Sequence, residues 1–370
     1  MFLELLSQLS PLPFERYMEL ALYHKDYGYY TRGNVPGKKG DYITSPCVHK
    51  VFGATLALQV IEAYELLGKP SQFLIVEAGA GAGYLALDIL SYLDEKGFYF
   101  PYYIVEPFPA LKAIQEEILG DFLGQVQWVE SFGDLPCFEG IFICNELFDA
   151  LPVHLVEKRE KELYEIWVIF REREVIEVLE RITEPEIIRR VSPYFPQWEE
   201  GYRTEVCLKA EEIYLYLALK MKQGLLLIID YGYPRQDLYH PQRKKGTLLC
   251  YYKHKVVENP YFRPGHIDIT YHVDFTYLKE LGERYGFLNL GFTQQASYLA
   301  SLGIDQVFLD VSEGSFRDKE ALKMLLLPEG FGQTHWVLAQ GRFLGSWKRC
   351  PLRGFRFSNR LNLLEFIRRG

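Results

Sequence analysis

The chain has 370 residues, is 48% hydrophobic and 15% aromatic, and carries a net charge of −8. That length buries a sizeable core, in one large domain with insertions or in two, and the apolar content excludes a disordered chain. The negative balance argues against a general nucleic-acid binder, so no nucleic-acid partner is expected, whereas a cationic substrate would suit it.

The opening MFLELLSQLSPLPFERYMEL has neither the basic-then-apolar form of a secretory signal nor the Arg- and Ser-rich composition of a transit peptide, and no run approaches a membrane span. Six cysteines (Cys47, Cys137, Cys144, Cys207, Cys250, Cys350) occur without any CxxC, which implies a reducing compartment. The expected localisation is cytoplasmic. Next, YHKDYGYYTRGNVPGKKGDYITSP reads as loop around short extended pieces. Ser45 and Pro46 then look like the N-cap and first turn of a helix through about Leu67.

FLIVEAG is a short apolar run ending in glycine, as a strand buried on both faces would be, and YLALDILSYLDEKG is helix-patterned. The cycle repeats with strand-like YYIVEP, helical ALKAIQEEILG, and strand-like VQWVES and GIFICN. Such alternation predicts an α/β fold, a parallel sheet with helices on both faces. From about 157 to 208, LYEIWVIF and EVIEVLERI alternate β-branched with charged residues, which predicts an inserted antiparallel region acting as a lid. A helix from about Lys209 to Lys222 leads back to the strand GLLLIIDYG. A long irregular segment, about 233 to 273, precedes the helix DFTYLKELGERYGF, and LNLGFTQQ with THWVLAQGRF forms a closing antiparallel pair. The tail from Arg342 on carries eight basic residues against one acidic and reads as a solvated terminus. An apolar lid or this tail could provide a homodimer interface.

VEAGAGAGYL places Gly79, Gly81 and Gly83 between a predicted strand and a predicted helix. Glycines there turn the chain tightly and let a ligand approach the backbone, while the helix N-terminus favours an anionic group. Tyr84 stands where a dinucleotide fingerprint would have its last glycine or alanine, so the single carboxylate of S-adenosyl-L-methionine suits the turn better than a pyrophosphate. Glu106, ending the next strand, is placed to accept two ribose hydroxyls, and Glu77 to sit near the ligand's ammonium. The alternative is a glycine-rich turn beside an incidental acid.

In NELFDALPVH, Asn145, Glu146 and Asp149 follow a buried strand and should face the cofactor's reactive end. If ELFDAL begins a helix, the two acids share a face. Two carboxylates can grip a guanidinium and polarise one nitrogen toward a methyl donor, with Asn145 orienting it. Otherwise Asn145 is an N-cap and the acids suit the helix dipole. His254, His266 and His272 with Asp268 and Asp274 allow a metal geometrically, yet neither HExxH nor a cysteine partner accompanies them, so no metal is expected. His272 is instead a candidate for a substrate-facing role.

The blocks MELALYHKDYGYYT, GDYITSP, VEAGAGAGYLALDIL, VEPFPAL, NELFDALPVH, LIIDYG, PGHIDITYHVDF and GFTQQASYLASLG occur in the order of the MidA-like family, which the chain resembles over about residues 13 to 340. That family of S-adenosylmethionine-dependent methyltransferases includes the mitochondrial complex I assembly factor with protein-arginine methyltransferase activity. The resemblance implies a seven-stranded, Rossmann-like class I methyltransferase sheet, cofactor at Gly79 to Gly83 and Glu106, and a substrate site near NELFDALPVH and DITYHVDF. It implies a protein substrate, a respiratory-complex subunit among the candidates. The family usually has Glu after TSP, where this chain has Cys47, and a GPGRG-type loop where it has Ala80 and Ala82.

The expected organisation is an N-terminal segment 1–70 capping the cofactor, a core of 71–156 and 209–343, the insert 157–208 and a tail 344–370. The leading expectation is a protein arginine N-methyltransferase using Glu77, Gly79, Gly81, Gly83, Glu106, Asp41 and Asn145 for the cofactor. Glu146, Asp149, Asn145 and His272 form the expected catalytic set, with Asp230 in support. A non-catalytic assembly factor of the same fold and a small-molecule methyltransferase are the alternatives.

Overall fold

The computed structural model describes residues 1–35, 43–171, 174–253, 255–343 and 351–365. Asp41 and His254 lie outside the described residues. Seven strands form the main sheet: β1 (Phe73–Ala78), β2 (Tyr102–Val105), β3 (Val126–Val129), β4 (Phe138–Asn145), β5 (Met221–Tyr233), β6 (Leu288–Gln294) and β7 (His335–Arg342). Their spatial order is β3-β2-β1-β4-β5-β7-β6. The first five run parallel, while β7 is antiparallel to both β5 and β6. An eighth short strand, Val273–Asp274, pairs with the end of β5.

The near-continuous apolar runs follow from burial on both faces. Side chains alternate across the sheet, so Val76, Phe142, Leu226, Ile228 and Leu338 pack on one side. Ile75, Ile141, Ile143, Leu227 and Val337 pack on the other. Each such side chain contributes roughly 1.5–3 kcal/mol. Helices Val51–Leu66 and Tyr84–Glu95 cover the second side, and Phe14–Tyr23, Ala210–Lys220 and Phe275–Arg284 cover the first.

Several stretches depart from the sequence reading. The helix expected from Ser45 to Leu67 is two, Ser45–Val48 and Val51–Leu66, because His49 is extended at φ −164°. The segment read as irregular holds a helix, Arg235–Leu238, and a small antiparallel sheet of Leu249–Tyr252, Lys255–Val257 and Asp268–Thr270, whose strands are too short to show a period. The stretch ELFDAL forms no α-helix; Glu146 takes a left-handed φ of 53° and only Phe148–Ala150 makes a 3-10 turn.

In the tail, residues 351–365 pack on the core, with Leu352, Phe355 and Leu364 buried and Phe355 against Tyr298. Those three apolar side chains are used internally, whereas Phe357 is exposed. None of the described helices is long and apolar enough to cross a membrane.

The insert is antiparallel as expected but starts at His154, with strands His154–Arg159, Glu162–Arg171, Glu174–Arg181 and Arg203–Val206. Leu12–Pro13 of the N-terminal segment pairs with its second strand. A buried ion network fastens the insert to the core. Arg190 in helix Pro185–Val191 reaches Asp274 at 2.9 Å, and Arg235 reaches the same carboxylate at 2.8 Å while holding Glu280 through two 2.8 Å bonds.

Candidate active site

The carboxyl ends of β1, β2, β4 and β5 converge on one edge of the sheet, where helix N-termini and loops leave a crevice. A cavity of about 490 Å³ opens there, lined by Glu77, Gly79, Gly81, Glu106, Asn145 and Glu146 among others. It falls in the size range of cofactor pockets. Gly79 (φ 71°), Gly81 (φ 54°) and Gly83 (φ 92°) all adopt left-handed backbone, and a Cβ at Gly79 would lie 3.1 Å from Leu147. Gly83 is off the cavity wall and opens helix Tyr84–Glu95. Tyr23, Tyr30, Asn34, Thr44, Pro46 and Cys47 of the N-terminal segment also line this space. Tyr23 stacks on Phe108 with ring centres 6.2 Å apart.

Two carboxyl groups in this cavity are tuned by burial. Glu77 accepts from the Tyr102 hydroxyl at 2.7 Å, and burial pushes its pKa up to about 7 against that bond. Glu106 accepts from Phe108 N–H at 3.0 Å and from Gln115 Nε2 at 2.9 Å, yet burial also pushes it to about 7. Gln115 also donates to Gly81 O at 2.9 Å and accepts from Trp128 Nε1 at 2.8 Å. This one side chain ties the glycine turn to the acid that ends β2. In the sequence it is an ordinary polar residue of an amphipathic helix, and nothing local marks it.

A second cleft, about 1320 Å³, lies beside the first and is lined by Glu146, Tyr231, His272, Arg243 and His335 among others. Glu146 borders both spaces. Its Oε1 accepts from Asn145 Nδ2 at 3.0 Å, its own N–H donates to Ile229 O at 2.8 Å, and His335 Nε2 stands 3.4 Å away. Asp149 turns elsewhere. It lines neither space, and its Oδ2 accepts from the Tyr231 hydroxyl at 2.5 Å. Asp230 is fully buried and accepts from the N–H groups of Phe148, Asp149 and Tyr231, which shapes the turn carrying Glu146.

Burial raises both Asp149 and Asp230 well above the carboxylate range, reinforced for Asp149 by Asp230 and Glu146 and for Asp230 by Glu146. His272 faces the cleft between Tyr231 and Tyr233, and burial, then Arg243 and His335, lowers it to about 4, so it is neutral at pH 7. Three buried polar atoms of residues lining these spaces lack a hydrogen-bond partner: Asn145 Oδ1, His272 Nδ1 and His335 Nε2. Buried polar atoms are normally satisfied, so this edge of the sheet is built to receive a polar ligand. Among the described residues, no group of three or more His, Cys, Asp and Glu is placed to hold a metal.

None of the described insert residues 154–206 lines either space. His335 escaped the sequence reading although a signal existed. An antiparallel strand begins where its parallel neighbour ends, and His335 pairs with Tyr231 at the carboxyl end of β5.

A family model for S-adenosyl-L-methionine-dependent methyltransferases matches residues 55–293. The chain belongs to this family. The methyltransferase is 30% identical over 358 residues to the Danio rerio protein named protein arginine methyltransferase NDUFAF7, mitochondrial, covering 88% of this chain and 82% of the relative. It is 27% identical over 361 residues to the Homo sapiens protein of that name, covering 89% and 79%. A Burkholderia thailandensis crystal structure with S-adenosyl-homocysteine bound has a TM-score of 0.87 to the methyltransferase at 29% identity, covering 98% of this chain and 97% of that one. These relatives correct the cytoplasmic expectation, because the curated ones are named as mitochondrial. Free cysteines imply a reducing compartment without saying which.

Proposed function

We propose that this methyltransferase modifies an arginine side chain of a protein partner, with the cofactor in the 490 Å³ cavity and the arginine entering through the larger cleft. The observation that carries the reading is Glu146, a carboxylate on the wall of both spaces. S-adenosyl-L-methionine supplies an electrophilic methyl group on a sulfonium. In this reading Gly79 and Gly81 admit the methionyl end, Glu77 faces its ammonium and Glu106 accepts the ribose hydroxyls. Glu146 holds the guanidinium, Asn145 fixes the Glu146 rotamer, and Asp149, Asp230 and Tyr231 keep the turn rigid. His272, neutral and on the cleft wall, supports the substrate. The names of the curated relatives support the arginine target, and the family resemblance points to a respiratory-complex subunit as the partner. The seven-strand order of the main sheet supports a class I methyltransferase reading of the fold, and the Arg190–Asp274 bond ties the insert to the core.

Incubating the protein and radiolabelled cofactor with a lysate, then mapping the label by mass spectrometry, tests the reading. Label on a protein arginine is expected; label on another residue or on a metabolite would replace it.

Gly81→Val forces a β-branched side chain into left-handed backbone at the turn. Cofactor affinity is expected to fall at least about tenfold, since misplacing the turn removes several contacts together. Titration calorimetry measures this, and unchanged affinity would remove the turn from the cofactor site.

Protonation gives an independent check. Glu77 and Glu106, at about 7 in the free protein, bind an ammonium and two hydroxyls best when ionised. Binding below pH 7 should therefore release protons, and affinity should rise as pH passes through about 7. Calorimetry in buffers of differing ionisation heat counts the protons. The free protein behaves oppositely: both pKa values are raised on folding, so their effect lowers stability as pH rises from about 4.3 toward 7.

A further inference from the structure

Methylating a guanidinium leaves a surplus proton, because the product is still a cation. The new N–C bond forms as the C–S bond breaks, the electron pair goes to sulfur, and one N–H proton must leave. Glu146 is poorly suited to keep that proton, since taking it removes the charge that holds the substrate.

His335 begins β7 and is only 4% exposed. Its Nε2 lies 3.4 Å from Glu146 Oε1 without a hydrogen-bond partner, and its Nδ1 lies 3.0 Å from Thr334 Oγ1. Edge contacts with Tyr231, ring centres 5.5 Å apart, and Phe331, at 5.0 Å, fix the ring plane. The residue also lines the substrate-sized cleft. A buried imidazole nitrogen left open beside the carboxylate that joins the two cavities has the geometry of a proton acceptor.

We propose that His335 Nε2 accepts the proton released by the substrate nitrogen during methyl transfer. The inference rests on a nitrogen nucleophile and thus on the arginine reading. The imidazole passes the proton to solvent through the open cleft, and Thr334 holds the opposite ring nitrogen. Every other part of the reaction stays with Glu146 and the cofactor cavity.

The test pairs His335→Ala with His335→Gln, using the protein arginine substrate found by labelling. Both should keep cofactor affinity within about twofold and lose about 10²- to 10⁴-fold in turnover, the usual contribution of a general base. Added imidazole should raise His335→Ala turnover by about tenfold or more and leave His335→Gln unchanged, because only the alanine variant has room for it. A merely structural role would give neither that recovery nor that contrast. Retained turnover in either variant, or a loss that imidazole leaves untouched in cofactor-binding His335→Ala, overturns the proposal. If His335→Ala fails to bind cofactor, the turnover of His335→Gln decides. Wild-type label on a residue other than arginine strikes the arginine reading; wild-type arginine label with active His335 variants strikes only the role of His335.

Discussion

Glu146→Gln is expected to leave S-adenosyl-L-methionine affinity within about twofold and to lower turnover by about 10²- to 10³-fold, the range for removing a group aimed at the reacting centre. Gln keeps the size and can still accept the bond from Asn145 Nδ2, so the turn should survive. What disappears is the negative charge facing the cleft, which in this reading holds a guanidinium. Affinity persists because Glu77, Glu106 and the glycine turn are untouched. Equilibrium titration with cofactor, alongside single-turnover methylation of the labelled substrate, separates the two effects. Full retained turnover would discard Glu146 as the substrate-holding acid. Glu146→Gly offers a control, because a non-glycine residue at φ 53° holds about 1–3 kcal/mol of strain. That variant should lose methylation without losing thermal stability.

Asp274→Ala carries the largest expected cost in stability, about 3–5 kcal/mol, the range for breaking a buried ion pair on one side. Asp274 is shared by Arg190 and Arg235, and Arg190 is only 1% exposed. Without the carboxylate, two buried guanidinium groups lose their shared counter-charge. The same side chain accepts from Tyr277 N–H at 3.0 Å as the N-cap of helix Phe275–Arg284, adding about 1 kcal/mol. Asp274→Asn keeps most of the cap and should fall between the two proteins. Chemical denaturation measures the series, and a cost for Asp274→Ala under about 1 kcal/mol would show that the network contributes little.

The pH sign follows from the shift. Burial opposes ionisation of Asp274, but Arg235 and Arg190 outweigh it and hold its pKa below the usual carboxylate range. The stabilisation is present above about pH 3.9, the unfolded value, and is lost as pH falls through the folded one. Asp274→Ala should lack that acid-dependent part.

The parallel core was legible because burial on both faces writes itself into runs such as LLLIID and IFICN. The placing of the glycine turn and Glu106 at strand ends was legible because each closes a short apolar run. The geometry after β4 was not. A left-handed Glu146 and a one-turn 3-10 segment depend on Asp230 from a strand some 80 residues later, and no local pattern encodes a bond of that length. Gln115 was invisible for the same reason, as its three partners are the acid just after β2, Trp128 of β3 and the glycine turn. The tail misled because its charge count hides the three apolar side chains that pack inward.

The strand order has a bearing on synthesis. β6 pairs with β7 alone among the described residues, and β7 separates it from β5. A ribosome therefore delivers Leu288–Gln294 more than 40 residues before the chain contains anything for it to pair with. Until then the parallel half of the sheet ends at β5, with an apolar edge bare in the nascent chain. The sheet closes only when β7 is in place, so a message cut short anywhere before residue 335 yields a polypeptide with an open sheet edge.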